Sequence, residues 1–374
     1  MTGARLFPER ESIALIRSAL DRHGFDLAHE MLRPDYLTSP FPNLETFLPV
    51  LDQLDPTLRM LLRLYTLGEP LALDVVESIL GRDLLEANLA TGLLAIDASG
   101  DGVSTAGLQL VSRLGQYFVV STSRAYPGFD PDLADIYLGP ESYTLANYLQ
   151  RRSGSLPSSG YALDLCTGSG IAAQVLSSLR RGIVWTGVDL SDRAIEAATF
   201  NAMLNETQDR FTAVSGNLYA PVDQNRFALI VANPPFVPVP ASIDFPVYGD
   251  GGEDGLLVLR PLLSGLREHL MPSGRAIVYA EGLGDDRGPV VLDLLESVSQ
   301  SGLTIGITLI STITAEHALF TIGRMLSAQT PSRLDELGAW RELFARLGTT
   351  RYHKFIIEAR VGAPGVVLRS IAKL

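Results

Sequence analysis

From residue 161 onward, short apolar segments alternate with helical segments, and glycine-containing turns separate them. The apolar segments have the length and composition of buried strands; they cover residues 161–165, 183–190, 211–214, 227–232 and 276–281. Strands that alternate with helices form a mostly parallel sheet, because each helix carries the chain back to the edge where the next strand begins. The sequence therefore predicts an α/β domain with helices on both faces of a mostly parallel sheet.

The last part of the chain departs from this alternation. Segments 303–310 and 318–325 are strand-like, segment 333–347 has a helical pattern, and segments 355–361 and 365–371 are predicted to form a hairpin. Antiparallel strands that come late in the chain are common in large mixed sheets. We therefore expect these strands to extend the parallel sheet.

The first third of the chain is organised differently. Helical patterns at 56–67, 72–80 and 82–90 precede short strand-like segments at 108–114 and 116–121. Three helices followed by a small β-wing resemble a winged-helix module. The third helix begins Arg-Asp-Leu-Leu-Glu, whereas a helix that enters the major groove needs a positive balance. We expect this module to be a scaffold or a substrate lid rather than a DNA-binding element.

A chain of 374 residues is long enough for two domains. We predict a helical, winged-helix-like domain at 1–125 and a second domain at 126–374, which begins with an acidic connector at 126–138. The net charge of -12 makes a nucleic-acid partner unlikely, and one cysteine excludes a disulfide within the chain. No metal-ligand spacing, export signal or membrane-length segment is present, so we expect a cytoplasmic protein; its oligomeric state is not indicated.

A glycine-rich turn follows the first strand of the alternating region. It begins at Asp164 and reads Asp-Leu-Cys-Thr-Gly-Ser-Gly, and Gly168 and Gly170 permit a tight turn and close approach of a ligand. These glycines also fit a dinucleotide fingerprint. The carboxylate of Asp164 repels a pyrophosphate, however, and favours the cationic S-adenosylmethionine. Cys166 belongs to the same turn and is included with the cofactor-binding positions, as a small packing residue rather than a nucleophile, because no histidine is near in sequence.

Residues that follow the next two strands complete the expected donor site. Asp189 ends the second strand, nineteen residues after Gly170, where a carboxylate accepts hydrogen bonds from ribose hydroxyls. Alternatively, Asp189 belongs to the cap of the next helix. Asn217 follows the third strand, where the adenine edge would lie, or else it is an ordinary turn residue. Leu190 and Leu218 are expected to cover the adenine, although each would also suit the core.

The run Asn-Pro-Pro-Phe at 233–236 ends the strand at 227–232. Two prolines prevent the strand from continuing, so Asn233 is held at the sheet edge where open α/β folds bind ligands, next to the donor. The side-chain oxygen of Asn233 and the carbonyl of Pro234 can accept hydrogen bonds from a weakly nucleophilic amide or planar amine, and Phe236 can stack on it. The alternative is a rigid turn without chemistry. With the donor motifs present, we predict that all three residues are catalytic.

Taken together, these motifs resemble those of one enzyme family. The order Asp164-x-Cys-x-Gly-x-Gly, Asp189, Gly216-Asn-Leu-Tyr and Asn233-Pro-Pro-Phe is similar to class I S-adenosylmethionine-dependent methyltransferases of the Asn-Pro-Pro-(Tyr/Phe) branch. That branch includes protein-(glutamine-N5) methyltransferases of release factors and ribosomal protein, and also N6-adenine and N2-guanine enzymes. The run from Gly251, Gly-Gly-Glu-Asp-Gly-Leu, looks like the Gly-Gly-x-Asp-Gly-Leu run of the glutamine enzymes.

The resemblance extends over about residues 137–281 and implies a Rossmann-like, seven-stranded sheet. This chain has Phe236 where the glutamine enzymes often have tyrosine, and Asn217 where aspartate is common. The resemblance does not extend to the N-terminal module or to the tail.

The acceptor is expected to meet aromatic residues around the mouth of this site. Phe245 and Tyr248 lie in the acidic, proline-rich loop 237–254, and Tyr143 precedes the first strand. We predict methylation of an amide or planar amine nitrogen, carried by a protein glutamine or a small biosynthetic metabolite. Two alternatives are an RNA base N-methyltransferase, which would need a basic face, and an enzyme that performs intramolecular chemistry on bound S-adenosylmethionine.

Overall fold

The computed structural model describes residues 5–32, 44–122, 135–329 and 331–371. The chain divides into two compact units, each assembled from several stretches of sequence. The first consists of Met1–Tyr143, Thr167–Ser178 and Ser191–Ala213, and the second of Thr144–Cys166, Leu179–Leu190 and Val214–Leu374. The predicted domain boundary between residues 125 and 126, with most of the connector, lies outside the described residues and stays a prediction.

The N-terminal part of the first unit contains six α-helices and two small β-structures among its described residues. The helices are α1 (Arg10–Arg22), α2 (Phe25–Leu32), α3 (Leu44–Leu51), α4 (Pro56–Leu61, continued by a π-helical turn at Leu62–Thr66), α5 (Leu73–Leu80) and α6 (Arg82–Thr91). Strands β1 (Leu71–Ala72), β2 (Ala95–Ile96) and β3 (Gly102–Ser104) form one sheet in the order β1-β3-β2, while β4 (Leu108–Arg113) and β5 (Gln116–Ser121) form a hairpin. These helices and strands lie where the sequence pattern predicts a winged-helix-like module.

Local sequence explains where the first helix begins and which face it buries. The carboxylate of Glu9 accepts hydrogen bonds from the backbone N–H groups of Glu11 and Ser12, which satisfies two of the donors that a helix start leaves open. Ile13, Ile16 and Leu20 recur at helical spacing and are all buried, so α1 packs along one apolar stripe.

The large sheet contains nine strands. They are β6 (Ser159–Leu165), β7 (Gly182–Asp189), β8 (Phe211–Ser215), β9 (Phe227–Ala232), β10 (Leu270–Asp285), β11 (Gly288–Pro289), β12 (Leu303–Thr314), β13 (Arg351–Val361) and β14 (Gly365–Ser370). The order across the sheet is β14-β12-β13-β10-β9-β6-β7-β8, and β11 pairs with β10. Strand β6 pairs in parallel with β7 and β9, and β9 pairs in parallel with β10, whereas β13 is antiparallel to both β10 and β12.

Seven further helices follow α6 in the described part of the chain. They are α7 (Pro140–Arg152), α8 (Ile171–Leu179), α9 (Asp192–Leu204), α10 (Leu259–His269), α11 (Val291–Ser299), α12 (Ala315–Gln329) and α13 (Leu337–Arg346). The predicted α/β class with a large, mostly parallel sheet is confirmed. None of the helices in the described ranges is long and apolar enough to span a bilayer.

Three details of the tail were predicted wrongly. The sheet has nine strands, whereas the resemblance implies seven. The segment 318–325 is not a strand but the middle of α12. Segments 355–361 and 365–371 do not form a hairpin, because β14 lies on the far side of β12 and pairs with it in parallel. Periodicity over a short apolar run cannot distinguish a strand from a buried helix, and it carries no information on which strand is the neighbour.

Candidate donor and acceptor site

Three neighbouring strands of the second unit end together. Leu165 of β6 is paired with Val188 of β7 on one side and with Ala232 of β9 on the other. The residues that follow in sequence are Cys166, Asp189 and Asn233. The predicted donor and acceptor motifs therefore leave the sheet at one edge, at the carboxyl ends of parallel strands, where open α/β sheets bind their ligands.

Two carboxylates dominate the charge at this edge. Asp164 is 2% exposed in β6, and Asp189 is partly exposed at the end of β7. Burial, followed by the negative charges of Asp189 and Asp164, raises the pKa of the Cys166 thiol well above its ordinary value. Both carboxylates therefore act on the same thiol, which stays protonated at neutral pH, and the edge favours a cation over an anion.

The backbone at the strand ends adopts conformations that side chains rarely take. Cys166 has φ +56° and Leu218 has φ +49°, and both are predicted cofactor positions. In the first unit, Gly168 and Gly170 have φ +52° and +81°. A Cβ on Gly170 would lie 3.4 Å from that of Ala198 in α9, an ordinary contact distance, so the positive φ rather than the packing favours glycine here. Left-handed backbone at such positions is a signature of ligand-binding turns.

The turn after β8 is attached to the end of β7 in the second unit. The backbone N–H of Gly216 donates to the carbonyl of Asp189 at 2.8 Å. Asn217 is exposed, Leu218 is partly buried, and Leu190 is 63% exposed despite its apolar side chain. The structure thus leaves the predicted adenine-contacting residues accessible next to Asp189.

The Asn-Pro-Pro-Phe run is supported by a later glycine motif. Asn233 is partly exposed and Pro234 is buried, while Phe236 is 9% exposed with its ring centroid 6.0 Å from that of Tyr279. A Cβ on Gly251 would come within 2.7 Å of the backbone carbon of Phe236, and one on Gly255 within 2.8 Å of its oxygen. The Gly-Gly-Glu-Asp-Gly-Leu run is therefore a backbone support for Phe236, a role that sequence reasoning missed.

The three predicted acceptor-binding aromatics have different local environments. Phe245 is buried in the core of the second unit, where its ring meets that of Trp340 edge to face. Tyr248 is partly buried in the same loop. Tyr143 belongs to the first unit, where it is 4% exposed and the guanidinium carbon of Arg113 lies 4.9 Å from its ring centroid. Among these three, Tyr248 is the most accessible.

A polar cluster next to Phe236 is centred on Glu281, which ends the predicted strand 276–281 and could therefore line the mouth of the site. Glu281, near the end of β10, is buried and accepts hydrogen bonds from the Tyr279 hydroxyl and the Lys354 ammonium, each at 2.7 Å. The sequence signal for it was the position of Glu281 at the end of a core strand. The identity of its lysine partner on β13 depends on the antiparallel register of β10 and β13.

Comparison with known proteins identifies the class to which this site belongs. Residues 140–244 match the family model of the methyltransferase small domain. This segment includes β6, β7 and β9 and the residues that follow them. This match confirms the resemblance to methyltransferases that is drawn from the motifs.

Several curated proteins that this chain resembles are named as glutamine methyltransferases. The chain is 37% identical over 123 residues to a ribosomal protein uL3 glutamine methyltransferase of Bradyrhizobium diazoefficiens, which covers 31% of this chain and 39% of that protein. It is 32% identical over 145 residues to a release factor glutamine methyltransferase of Thermodesulfovibrio yellowstonii, covering 36% of this chain and 52% of that protein. The chain thus spans about half, or less, of the length of these relatives. A ribosomal protein L11 methylase structure from Lactobacillus delbrueckii has 24% identity and a TM-score of 0.34, covering 45% of this chain and 72% of that one.

Proposed function

We propose that this protein transfers a methyl group from S-adenosylmethionine to the side-chain amide nitrogen of a glutamine in a protein substrate. The observation that carries the proposal is the register of β6 and β9, which brings Cys166 and Asn233 to adjacent positions at one sheet edge. A donor motif and an acceptor motif on neighbouring strand ends can hold two reactants side by side, and such positioning supplies much of the rate of a bimolecular reaction.

The residues at this edge fit S-adenosylmethionine. When bound, it supplies an electrophilic methyl group on a positively charged sulfonium. We assign Asp164 to its amino-acid end and Asp189 to the ribose hydroxyls, with the exposed side chain of Leu190 against the adenine. Burial raises the pKa of Cys166, and the charges of Asp189 and Asp164 raise it further, so both carboxylates lie near this turn.

The acceptor half of the site orients a nitrogen rather than removing its proton beforehand. The nitrogen forms a bond to the methyl group as the sulfur–methyl bond breaks, and one amide hydrogen then leaves as a proton to solvent. An amide nitrogen donates its lone pair into the carbonyl and attacks poorly unless it is held in place. We assign the side-chain oxygen of Asn233 and the backbone carbonyl of Pro234 as acceptors for the two amide hydrogens. Phe236, whose backbone is fixed by Gly251 and Gly255, covers the flat face of the amide.

A protein glutamine is the acceptor that the similarities favour. The relatives that match this segment are named for methylation of glutamine in a ribosomal protein and in release factors. The net charge of -12 disfavours an RNA acceptor. We place the reaction in the cytoplasm, where translation proteins are found.

The direct test is to incubate the purified protein with S-adenosylmethionine carrying a labelled methyl group and with a cell extract, followed by separation of protein, RNA and small molecules. Label on a protein glutamine, together with S-adenosylhomocysteine, supports the proposal. Label on RNA or on a metabolite would assign a different acceptor. Methylthioadenosine without a methylated product would show chemistry on the cofactor itself, and failure to bind S-adenosylmethionine would refute the proposal entirely.

A further inference from the structure

Asn201 in α9 and Asn205 at the C-cap of this helix pair with the hairpin strand β5 within the first unit. Asn201 accepts from the backbone N–H of Val119 at 2.7 Å and donates to its carbonyl at 3.1 Å. Asn205, one turn later, accepts from the N–H of Tyr117 at 2.8 Å and donates to its carbonyl at 2.7 Å. The two side-chain amides thereby satisfy alternate backbone groups of β5, as a neighbouring strand would.

Only one of these two asparagines also reaches the glycine turn. The Nδ2 group of Asn201 donates a further hydrogen bond, at 2.9 Å, to the carbonyl of Ser169. Ser169 lies between Gly168 and Gly170, in the turn that the proposed donor site requires, and the side chain of Asn201 is fully buried. One amide therefore joins the hairpin, α9 and the glycine turn.

The hydrogen bond to the Ser169 carbonyl matters because the two glycines beside it have no side chains that would restrict the backbone. The flanking glycines can each adopt many backbone conformations, and one hydrogen bond within the turn, from Gly170 N–H to the Thr167 carbonyl at 2.8 Å, closes it. A second restraint at Ser169 reduces the ordering that a ligand would otherwise have to impose, and preorganisation of this kind raises affinity.

We propose that Asn201 is a positioning residue for the donor turn, through which β5 of the N-terminal region contributes to binding of S-adenosylmethionine. This inference rests on the proposed function, because it assumes that the turn binds this ligand. It gives the N-terminal module a role in ordering the glycine turn, and this role does not require contact with nucleic acid.

The test compares Asn201→Asp with Asn205→Asp and uses S-adenosylhomocysteine as the probe in calorimetry. Each substitution keeps the shape and the acceptor oxygen but removes the amide donor, so each loses its bond to the β5 carbonyl. Only Asn201→Asp also loses the bond to Ser169. We expect Asn201→Asp to bind the probe roughly three- to tenfold more weakly than Asn205→Asp, as the loss of one hydrogen bond predicts. Amide hydrogen exchange at residues 167–174 should rise in the same variant alone.

Equal affinities for the two Asp variants, with equal exchange at the turn, would overturn the proposal. If a buried aspartate prevents folding, the pair Asn201→Ala and Asn205→Ala is compared in the same way. Unfolding of every Asn201 variant while the Asn205 variants fold would assign Asn201 to stability alone and would also overturn it. Failure of the wild-type protein to bind the probe would instead refute the proposed function.

Discussion

The loop that follows Phe236 is attached to the C-terminal helices by a buried indole. Trp340 in α13 is fully buried, and its Nε1–H donates to the carbonyl of Pro238 at 2.7 Å. The centroid of its ring lies 6.3 Å from that of Phe245 in the same loop. Trp340→Phe would keep an aromatic ring in the core but would leave the carbonyl of Pro238 without this donor.

The size of the effect follows from a comparison with the other tryptophan of the chain. Trp185 in β7 is equally buried, and its Nε1–H has no hydrogen-bond partner among the residues that the structure describes. Trp185→Phe and Trp340→Phe remove the same atoms, so their losses of apolar contact are similar. The difference is one buried hydrogen bond, and we expect the free energy of unfolding to fall by about 1–3 kcal/mol more in Trp340→Phe.

Urea unfolding followed by far-ultraviolet circular dichroism measures this difference, because both tryptophans belong to the second unit. Hydrogen exchange localises it: the amides of Val237 and Val239, which donate to the carbonyls of Gly249 and Gly252, should exchange faster only in Trp340→Phe. With an acceptor in hand, the KM for the acceptor should rise more than the KM for the methyl donor. Equal unfolding free energies for the two variants, or unchanged exchange in the loop, would refute this account of the loop.

Three further predictions test other parts of the structure. Gly251→Ala should abolish most activity, because its Cβ would collide with the backbone of the Asn-Pro-Pro-Phe run. Gly338→Ala is the control in α13, where nothing lies within 4 Å of the new Cβ, and it should raise the free energy of unfolding by about 0.5–1 kcal/mol in thermal unfolding. Alkylation of Cys166 by iodoacetamide at pH 8, followed by mass spectrometry, should be slower than that of a free thiol, and Asp189→Asn should accelerate it because removing a negative charge lowers the pKa of the thiol. Burial lowers the pKa of His353 below its ordinary 6.5, so the unfolded chain binds a proton more readily than the folded chain does. The contribution of neutral His353 to the free energy of unfolding should therefore be complete above pH 6.5 and be lost as the pH falls through the folded-state pKa. His353→Gln should reduce this loss in urea titrations at different pH values.

Much of the donor side of the site could be read from sequence. Strands that carry a local signal, such as the apolar run before Asp164 and the one before Asn233, were placed correctly because each is bounded by glycine or proline. Their parallel pairing follows from the helices between them. The common edge on which both residues lie is a consequence of that topology.

The acceptor side depended on contacts that sequence does not encode locally. Phe245 looked like a substrate-binding aromatic because its loop is polar, but its environment is set by Trp340, which lies far along the chain. Asn201 lies in helix α9, and its proposed positioning role depends on its hydrogen bonds to β5 and to Ser169, which the helical sequence pattern does not indicate. The supporting contact of Gly251 with Phe236 also depends on the loop folding back. Such pairings arise from tertiary packing and have no signature in residue periodicity.

The central claim is that Asn233 acts on the acceptor while other residues hold the methyl donor. Asn233→Ala tests it directly, with Asn225→Ala as the matched control, because Asn225 is an exposed asparagine shortly before the same strand. We predict that Asn233→Ala lowers methyl transfer by at least about a hundredfold, the usual effect of removing one preorganised polar contact at the reacting group. Its affinity for S-adenosylhomocysteine should remain close to that of Asn225→Ala. Wild-type turnover in Asn233→Ala, or a loss of S-adenosylhomocysteine binding as large as the loss of activity, would contradict the claim.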